Sequence, residues 1–352
     1  MRFWKFLGMF ILLASAFNVH AKQDEGVISH CLDTSLPPVP LSEVQFDGII
    51  FLSTNNLRAI RNPIATTYII AFSDHYRSFG TSGSLSPDGK WFAYPTGTSE
   101  RANWTDRNYQ FDRINFVNTH TGERVFSVPT NDYALFVSGA YQFTLDHVGW
   151  LSNVLYVVND TTIINVETQS EEPLAYTGPL DLQQLRQGII SPDGTRISYS
   201  NRIVDIMTGE TVVETEGSAA RWLTDGTGYY SFSSAPKTST AIYDHDGKVR
   251  FSIDQYATVS HTGKWLAWGE RRGDSPNVEH NFFIINTESG QTVELCSQIR
   301  DITFSPDDTQ AAVLEQYGNN QRLWLIDLDT WEATPIDAQL SIANSFVGWY
   351  AN

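Results

Sequence analysis

Short runs in which apolar and polar positions alternate recur along the chain, separated by clusters of Gly, Asn, Asp and Ser. Trp91-Phe92-Ala93-Tyr94, Arg196-Ile197-Ser198-Tyr199, Trp265-Leu266-Ala267-Trp268 and Ala311-Ala312-Val313-Leu314 are such runs. Each follows a polar turn: Ser86-Pro87-Asp88-Gly89, Ser191-Pro192-Asp193-Gly194, and the weaker Ser260-His261-Thr262-Gly263 and Ser305-Pro306-Asp307-Asp308. No segment of a dozen residues keeps helical periodicity. Period-two patterning rich in Val, Ile, Tyr and Trp predicts short strands and an all-β chain.

A second marker alternates with the first. It ends a strand with a polar hairpin, as in Asn118-Thr119-His120-Thr121-Gly122-Glu123, Asp205-Ile206-Met207-Thr208-Gly209-Glu210 and Asn286-Thr287-Glu288-Ser289-Gly290. Weaker copies follow Asn165, Asp244 and Asp327, and an early one lies at Arg61–Thr66. Gly and Asn or Asp supply the positive φ that tight hairpins need. Degenerate turns near Ser152, Asp225 and Trp349 complete the first series, so each marker occurs seven times. Two markers per unit and a period of about 45 residues predict a β-propeller of four-stranded blades. The last turn marker has no hairpin after it, and the first hairpin has no turn before it. A strand near Ser345–Tyr350 is therefore expected to pair with Gly48–Leu52 and close the ring. Six blades and an extra sheet is the alternative.

The Ser-Pro-Asp-Gly-x-x-x-Ala-Tyr unit followed by Asp/Asn-x-x-Thr-Gly-Glu resembles the repeat of the TolB-like (PD40, WD40-like) propellers. The resemblance covers essentially the whole chain beyond its first residues. It is good around Pro87, Pro192 and Pro306 and weak elsewhere. It implies a scaffold that docks partner proteins on the disc. Similar propellers precede serine peptidase domains, but this chain has no Gly-x-Ser-x-Gly elbow, and it lacks the separate α/β domain of TolB.

The N-terminus changes the picture by adding a compartment. Met1-Arg2-Phe3-Trp4-Lys5, an apolar run from Phe6 to Phe17, and Val19-His20-Ala21 read as a secretory signal peptide. The run is too short to span a bilayer. The expected organisation is a signal over 1–21, an arm over 22–40 and a propeller over 41–352, in the periplasm or secreted, with no membrane span in the mature chain. The net charge is −17, and it becomes more negative once Arg2 and Lys5 are removed. That argues against nucleic acid and anionic lipid, which need basic patches. Cys31 and Cys296 are the two cysteines, expected to form one disulfide in an exported protein; two free thiols is the alternative.

Candidate chemistry is thin. Four places before each turn, the innermost strands carry Ser82, His147, Gln187, Ala219, Tyr256, Asp301 and Phe346. Two places before it, small residues dominate and Arg221 breaks the pattern. His147, Arg221 and Asp301 are thus candidates for a polar channel mouth; the bland reading is a satisfied arginine paired with an acid. The second candidate is a face. The connections Pro95–Asp112 and Glu270–His280 are expected as long loops opposite the turns, carrying Arg101, Trp104, Arg107, Tyr109, Arg271 and Arg272. Arg, Trp and Tyr are the residue types of binding hot spots. The bland reading is two ordinary solvated loops. Asp244-x-Asp246-Gly247 resembles the start of a calcium loop but falls where a hairpin turn belongs. The sequence offers no catalytic set, no metal-ligand spacing and no cofactor motif. The expected function is a monomeric protein-interaction scaffold of the cell envelope. A propeller hydrolase or lyase with a channel site and a carbohydrate or cell-wall binder are the alternatives.

Overall fold

The computed structural model describes residues 27–53, 56–61, 66–72, 84–101, 107–130, 149–158, 162–173, 178–181, 184–185, 188–215, 220–234, 237–272, 279–317, 320–338, 340 and 345–351. The expected signal peptide lies outside the described residues.

The chain is all-β, with seven small antiparallel blades in a ring. Blade 1 is composite: Ser345–Tyr350 pairs antiparallel with Ile49–Ser53, followed by Asn56–Arg61 and Thr66–Phe72. Blade 2 runs from Ser84–Leu85 to Glu123–Pro129 and blade 3 from Trp150 to Ser170–Pro173. Blade 4 runs from Ile189–Ile190 to Thr211–Glu214 and blade 5 from Arg221–Trp222 to Val249–Ile253. Blade 6 runs from Thr258–Val259 to Thr292–Leu295 and blade 7 from Ile299–Phe304 to Ala333–Asp337. The seven-blade expectation and the closure by the terminal strand both hold. Among the described residues, no helix is long and apolar enough to cross a membrane.

The two markers form one joined structure. Ser86 Oγ donates to Asp88 Oδ1 (2.6 Å) and accepts from Trp91 N–H (3.0 Å), which fixes the turn between the first two strands. Ser191 with Asp193 and Ser305 with Asp307 repeat it at 2.6 and 2.7 Å. In the hairpins, Asn118 Oδ1 accepts from His120 and Thr121 N–H, and Asn165, Asp205, Asn286 and Asp327 do the same. Such side-chain turns are the reason for Asn and Asp there. Thr119 Oγ1 then donates to Gly89 O (2.6 Å), and Thr287 Oγ1 to Gly263 O (2.8 Å), so both markers sit on one face of the disc. Asp244 is a turn residue too: its Oδ1 accepts from Asp246 and Lys248 N–H.

The core lies between blades. Leu85, Trp150, Ile190, Phe304 and Trp349, one place before the turns, are buried as the alignment predicts, while Trp222 and Val259 are half-buried. The indoles also join neighbours: Trp150 Nε1 donates to Ser84 O of blade 2 (3.2 Å), and Trp222 Nε1 to Ile189 O of blade 4 (2.8 Å). A buried indole N–H needs such a partner.

Two features were not foreseen. The arm is part of the ring. Ile28–His30 pairs parallel with Thr292–Leu295 and Val39–Pro40 with Ala333–Asp337, which gives blades 6 and 7 a fifth, outermost strand. The expected disulfide joins Cys31 to Cys296 and pins the arm to blade 6. The second concerns the expected long loops, which are largely strand. Trp91–Arg101 and Arg107–Asn118 pair along their length, with a bulge between Thr96 and Gly97. Trp265–Arg272 and Glu279–Asn286 pair likewise. Asn108 and Gln110 alternate with Tyr109 and Phe111, a period of two that continues the strand beyond the blade.

Candidate functional site

The innermost strands run toward the turn face from the opposite face, where the long strand pairs of blades 2 and 6 project, so residues four places before a turn lie toward that opposite face. Tyr256 and Asp301 lie at that end, and Arg221 stands two places before its turn; His147 falls outside the described residues. Arg221 stands over the Phe232 ring at 5.7 Å, and Phe232 stacks on Tyr256 with centroids 4.4 Å apart. Tyr256 is 61% exposed, so this ladder presents an open aromatic face.

Asp301 does not join it. Its carboxylate accepts from Ile302 N–H (2.9 Å) and from Phe346 N–H of blade 1 (2.7 Å). Burial pushes the carboxyl up to about 6, with those two N–H groups opposing the rise. Asp301 therefore stitches blade 7 to the bulged closing strand; of the expected channel set, His147 lies outside the described residues.

On the turn side, His261 links three blades. His261 of blade 6 meets the Tyr350 ring edge-on at 5.7 Å, its Nδ1 lies 3.3 Å from Thr224 Oγ1 of blade 5, and the backbones of Trp349 and Phe304 adjoin its ring. Blades 6 and 1 are separated by blade 7, so this contact is made across the inner rim. Burial pushes the imidazole below its ordinary value, while the nearby Asp308 charge works the other way. A neutral imidazole in this setting fills space and joins blades.

Asp308 explains the degenerate turn of blade 6. That turn has Thr262 where blades 2, 4, 5 and 7 have Asp88, Asp193, Asp225 and Asp307. Asp308, 1% exposed, supplies the carboxylate from blade 7: it accepts from Ser260 Oγ (2.7 Å), Thr262 Oγ1 (2.6 Å) and the N–H groups of His261 and Thr262 (3.0 Å each). It stands at the glycine place of its own turn, with φ of 57°. That left-handed conformation costs about 1–2 kcal/mol in a residue with Cβ. The doubled Asp307-Asp308 was the signal in the sequence.

On the hairpin face, the register places Arg101 directly opposite Arg107, and Ser99 opposite Tyr109, at the far end of the longest strand pair. Arg271 lies opposite His280 and Arg272 opposite Glu279. Trp104 and the side chains of these six candidates lie outside the described residues. Like charges directly opposite on paired strands are mutually destabilising, and the register sets Arg101 and Arg107 opposite one another on an acidic protein.

Among the described residues, no group of three His, Cys, Asp or Glu side chains is arranged to hold a metal ion.

These features define a seven-bladed β-propeller whose turn face is braced and whose opposite face carries extended hairpins. No family model matches the sequence, and no curated protein matches it. Solved structures resemble it at low identity. TolB from Acinetobacter baumannii has a TM-score of 0.44 at 16% identity, over 88% of this chain and 69% of that one. A putative 6-phosphogluconolactonase from Bacteroides uniformis has a TM-score of 0.45 at 16% identity, over 86% and 100%. The Cps50 (Swd1) β-propeller domain of Myceliophteria thermophila has 0.41 at 12% identity, over 83% and 97%.

Proposed function

We propose that the protein is an exported interaction scaffold of the cell envelope that captures a partner protein on the hairpin-bearing face. The observation that carries this reading is the cross-strand pairing of Arg101 with Arg107 at the end of the longest hairpin. An acidic segment of a partner relieves that repulsion, whereas the rest of a chain of net charge −17 repels it. Trp104 and Tyr109, near the arginines in sequence, are of the residue types that anchor such contacts. The disulfide supports export, because such bonds persist in oxidising compartments. The signal-like first residues support it independently.

The test is capture from the native exported fraction with the chain from Lys22 onward, beside a variant carrying Arg101→Ala, Trp104→Ala and Arg107→Ala. A partner held by the first and lost by the second supports the reading. Capture that survives the triple substitution removes the hairpin from it. No capture by either bait turns attention to the Arg221–Phe232–Tyr256 ladder and to small-molecule or sugar ligands.

A further inference from the structure

We propose that the outer edges of blades 6 and 7 are a docking groove for an extended segment of another protein, held closed by the chain's own arm while Cys31–Cys296 is intact. This surface is separate from the hairpin face and does not depend on the reading above.

The arm shows what the groove takes. It binds as a strand added in parallel, three residues on blade 6 and two on blade 7. Backbone pairing of this kind tolerates many sequences. One side chain fixes the position: Leu32 enters the cluster formed by Trp265, Phe282, Val293 and Leu295. Around it, His30 stacks on Trp331 at 5.7 Å, Cys296 N–H donates to His30 O (3.1 Å), and Arg322 donates to Thr34 O (2.9 Å). At its far end Val39 packs beside Ile336, but the apolar side chains nearer the start of the arm gain little from being there. Val27, Ile28 and Leu36 are 48%, 42% and 40% exposed. Short parallel pairing is the weaker kind, so the covalent bond supplies much of what keeps the arm seated. Beneath it, Thr292–Leu295 and Ala333–Asp337 are outermost strands with buried Val293, Leu295 and Ile336. Uncovered, such edges are templates for a further strand.

The fitting partner is thus a protein segment able to lie extended along both edges, with an aliphatic residue at the place of Leu32. Opening is a thiol–disulfide exchange with a dithiol. The Cys31–Cys296 bond breaks, two thiols form, and the dithiol gives up two electrons and two protons and becomes a disulfide.

The experiment uses the full chain and a fluorescein-labelled peptide of residues 27–40 carrying Cys31→Ser. Anisotropy is measured with the oxidised chain, with the chain reduced by a dithiol, and with a Cys31→Ser, Cys296→Ser variant. Binding to the reduced chain and to the variant is expected to be about tenfold or more tighter than to the oxidised chain, and Leu32→Asp in the peptide abolishes it. Amide exchange is read in parallel: 292–295 and 333–337 lose protection on reduction, 265–286 keep it, and the peptide restores it. Equal binding to the oxidised chain overturns the proposal. So does a reduced chain that binds no peptide, whether its edges stay protected or open. Loss of protection across 265–286 overturns it as well, because the arm is then a staple for the ring itself.

Discussion

The two faces of the disc are built on opposite principles. On the turn face blades 2, 4 and 7 repeat the same serine–aspartate bond, and adjacent blades are latched. Arg61 donates to His120 O (2.8 Å), Lys90 pairs with Glu167 (3.1 Å), and Arg196 donates to His245 O (2.8 Å). On the opposite face the blades differ in length. The strands flanking the hairpin of blade 2 have 11 and 12 residues, while those of blades 3 and 4 have 4. Repetition is spent where the ring must be held, and variation stands where it costs the ring least. This is the usual division between a rigid scaffold and its binding loops.

The largest loss of stability is expected at ring closure, on which both faces depend. Trp349 is fully buried, donates to Asp47 O (2.6 Å) and packs edge-on against Phe46. Trp349→Ala is expected to cost about 3–5 kcal/mol, measured as a lowered denaturation midpoint at unchanged slope. Gly48, with φ of 90°, is equally constrained, because a Cβ there would meet the carbonyl oxygen of Tyr350.

Next comes the turn shared between blades 6 and 7. Asp308→Ala strands two hydroxyls and two N–H groups and is expected to cost about 3 kcal/mol. Asp88→Ala, in an exposed turn that carries its own aspartate, is expected to cost about 1 kcal/mol. Equal losses in thermal denaturation would show that Asp308 is an ordinary turn residue and that blade 6 does not depend on it.

Blade 7 shows how much of this was legible. The repeat, the blade count and the terminal strand follow from local patterns: alternation, turn residues and the phase of two markers. Asp308 and Trp331 stand where the repeat has glycine, both with positive φ (57° and 63°). Both departures are contacts: Asp308 completes the turn of blade 6, and Trp331 meets His30 of the arm and Trp265. A single sequence marks such positions as irregular without saying what they reach. The arm's pairing left no local signal, because two and three residues of parallel strand are set by edges more than 260 positions away in the chain, as the disulfide separation of 265 illustrates. The hairpins were read as loops because polar residues outnumber apolar ones there, although the period of two was present.

A smaller effect separates the carboxylates of the two regions by sign. Hydrogen bonds within their turns hold Asp205 and Asp327 below the ordinary carboxyl value, led by Thr208 and Thr330 N–H; Asp193 is lowered first by Ser191. These groups stabilise the fold above the unfolded value of 3.8, and that contribution is lost as pH falls through their lower folded values. Asp301 behaves in reverse. Its folded value, about 6, lies above 3.8. The fold therefore binds its proton more tightly than the unfolded chain does, and stability falls as pH rises from 3.8 through about 6. Asp301→Asn should remove that descending limb, on the order of 2 kcal/mol, and leave the acid limb unchanged. Parallel Tm–pH profiles for variant and wild type from pH 4 to 7 would contradict the assignment.

The smallest effect on stability is expected where the largest effect on binding lies. Arg101→Ala with Arg107→Ala removes two like charges from opposing positions and no bond of the turn face, so the unfolding free energy should stay within about 0.5 kcal/mol of wild type or rise slightly. Partner capture should fall sharply, and the loss should be mimicked in the wild type by raising salt, because exposed charges beyond the screening length contribute little. Arg101→Glu alone distinguishes repulsion from shape. It converts the pair into an attractive one and should raise stability by a few tenths of a kcal/mol while still abolishing capture. A variant that is destabilised and still binds would mean that the hairpin serves the ring after all, and that the division between the two faces lies elsewhere.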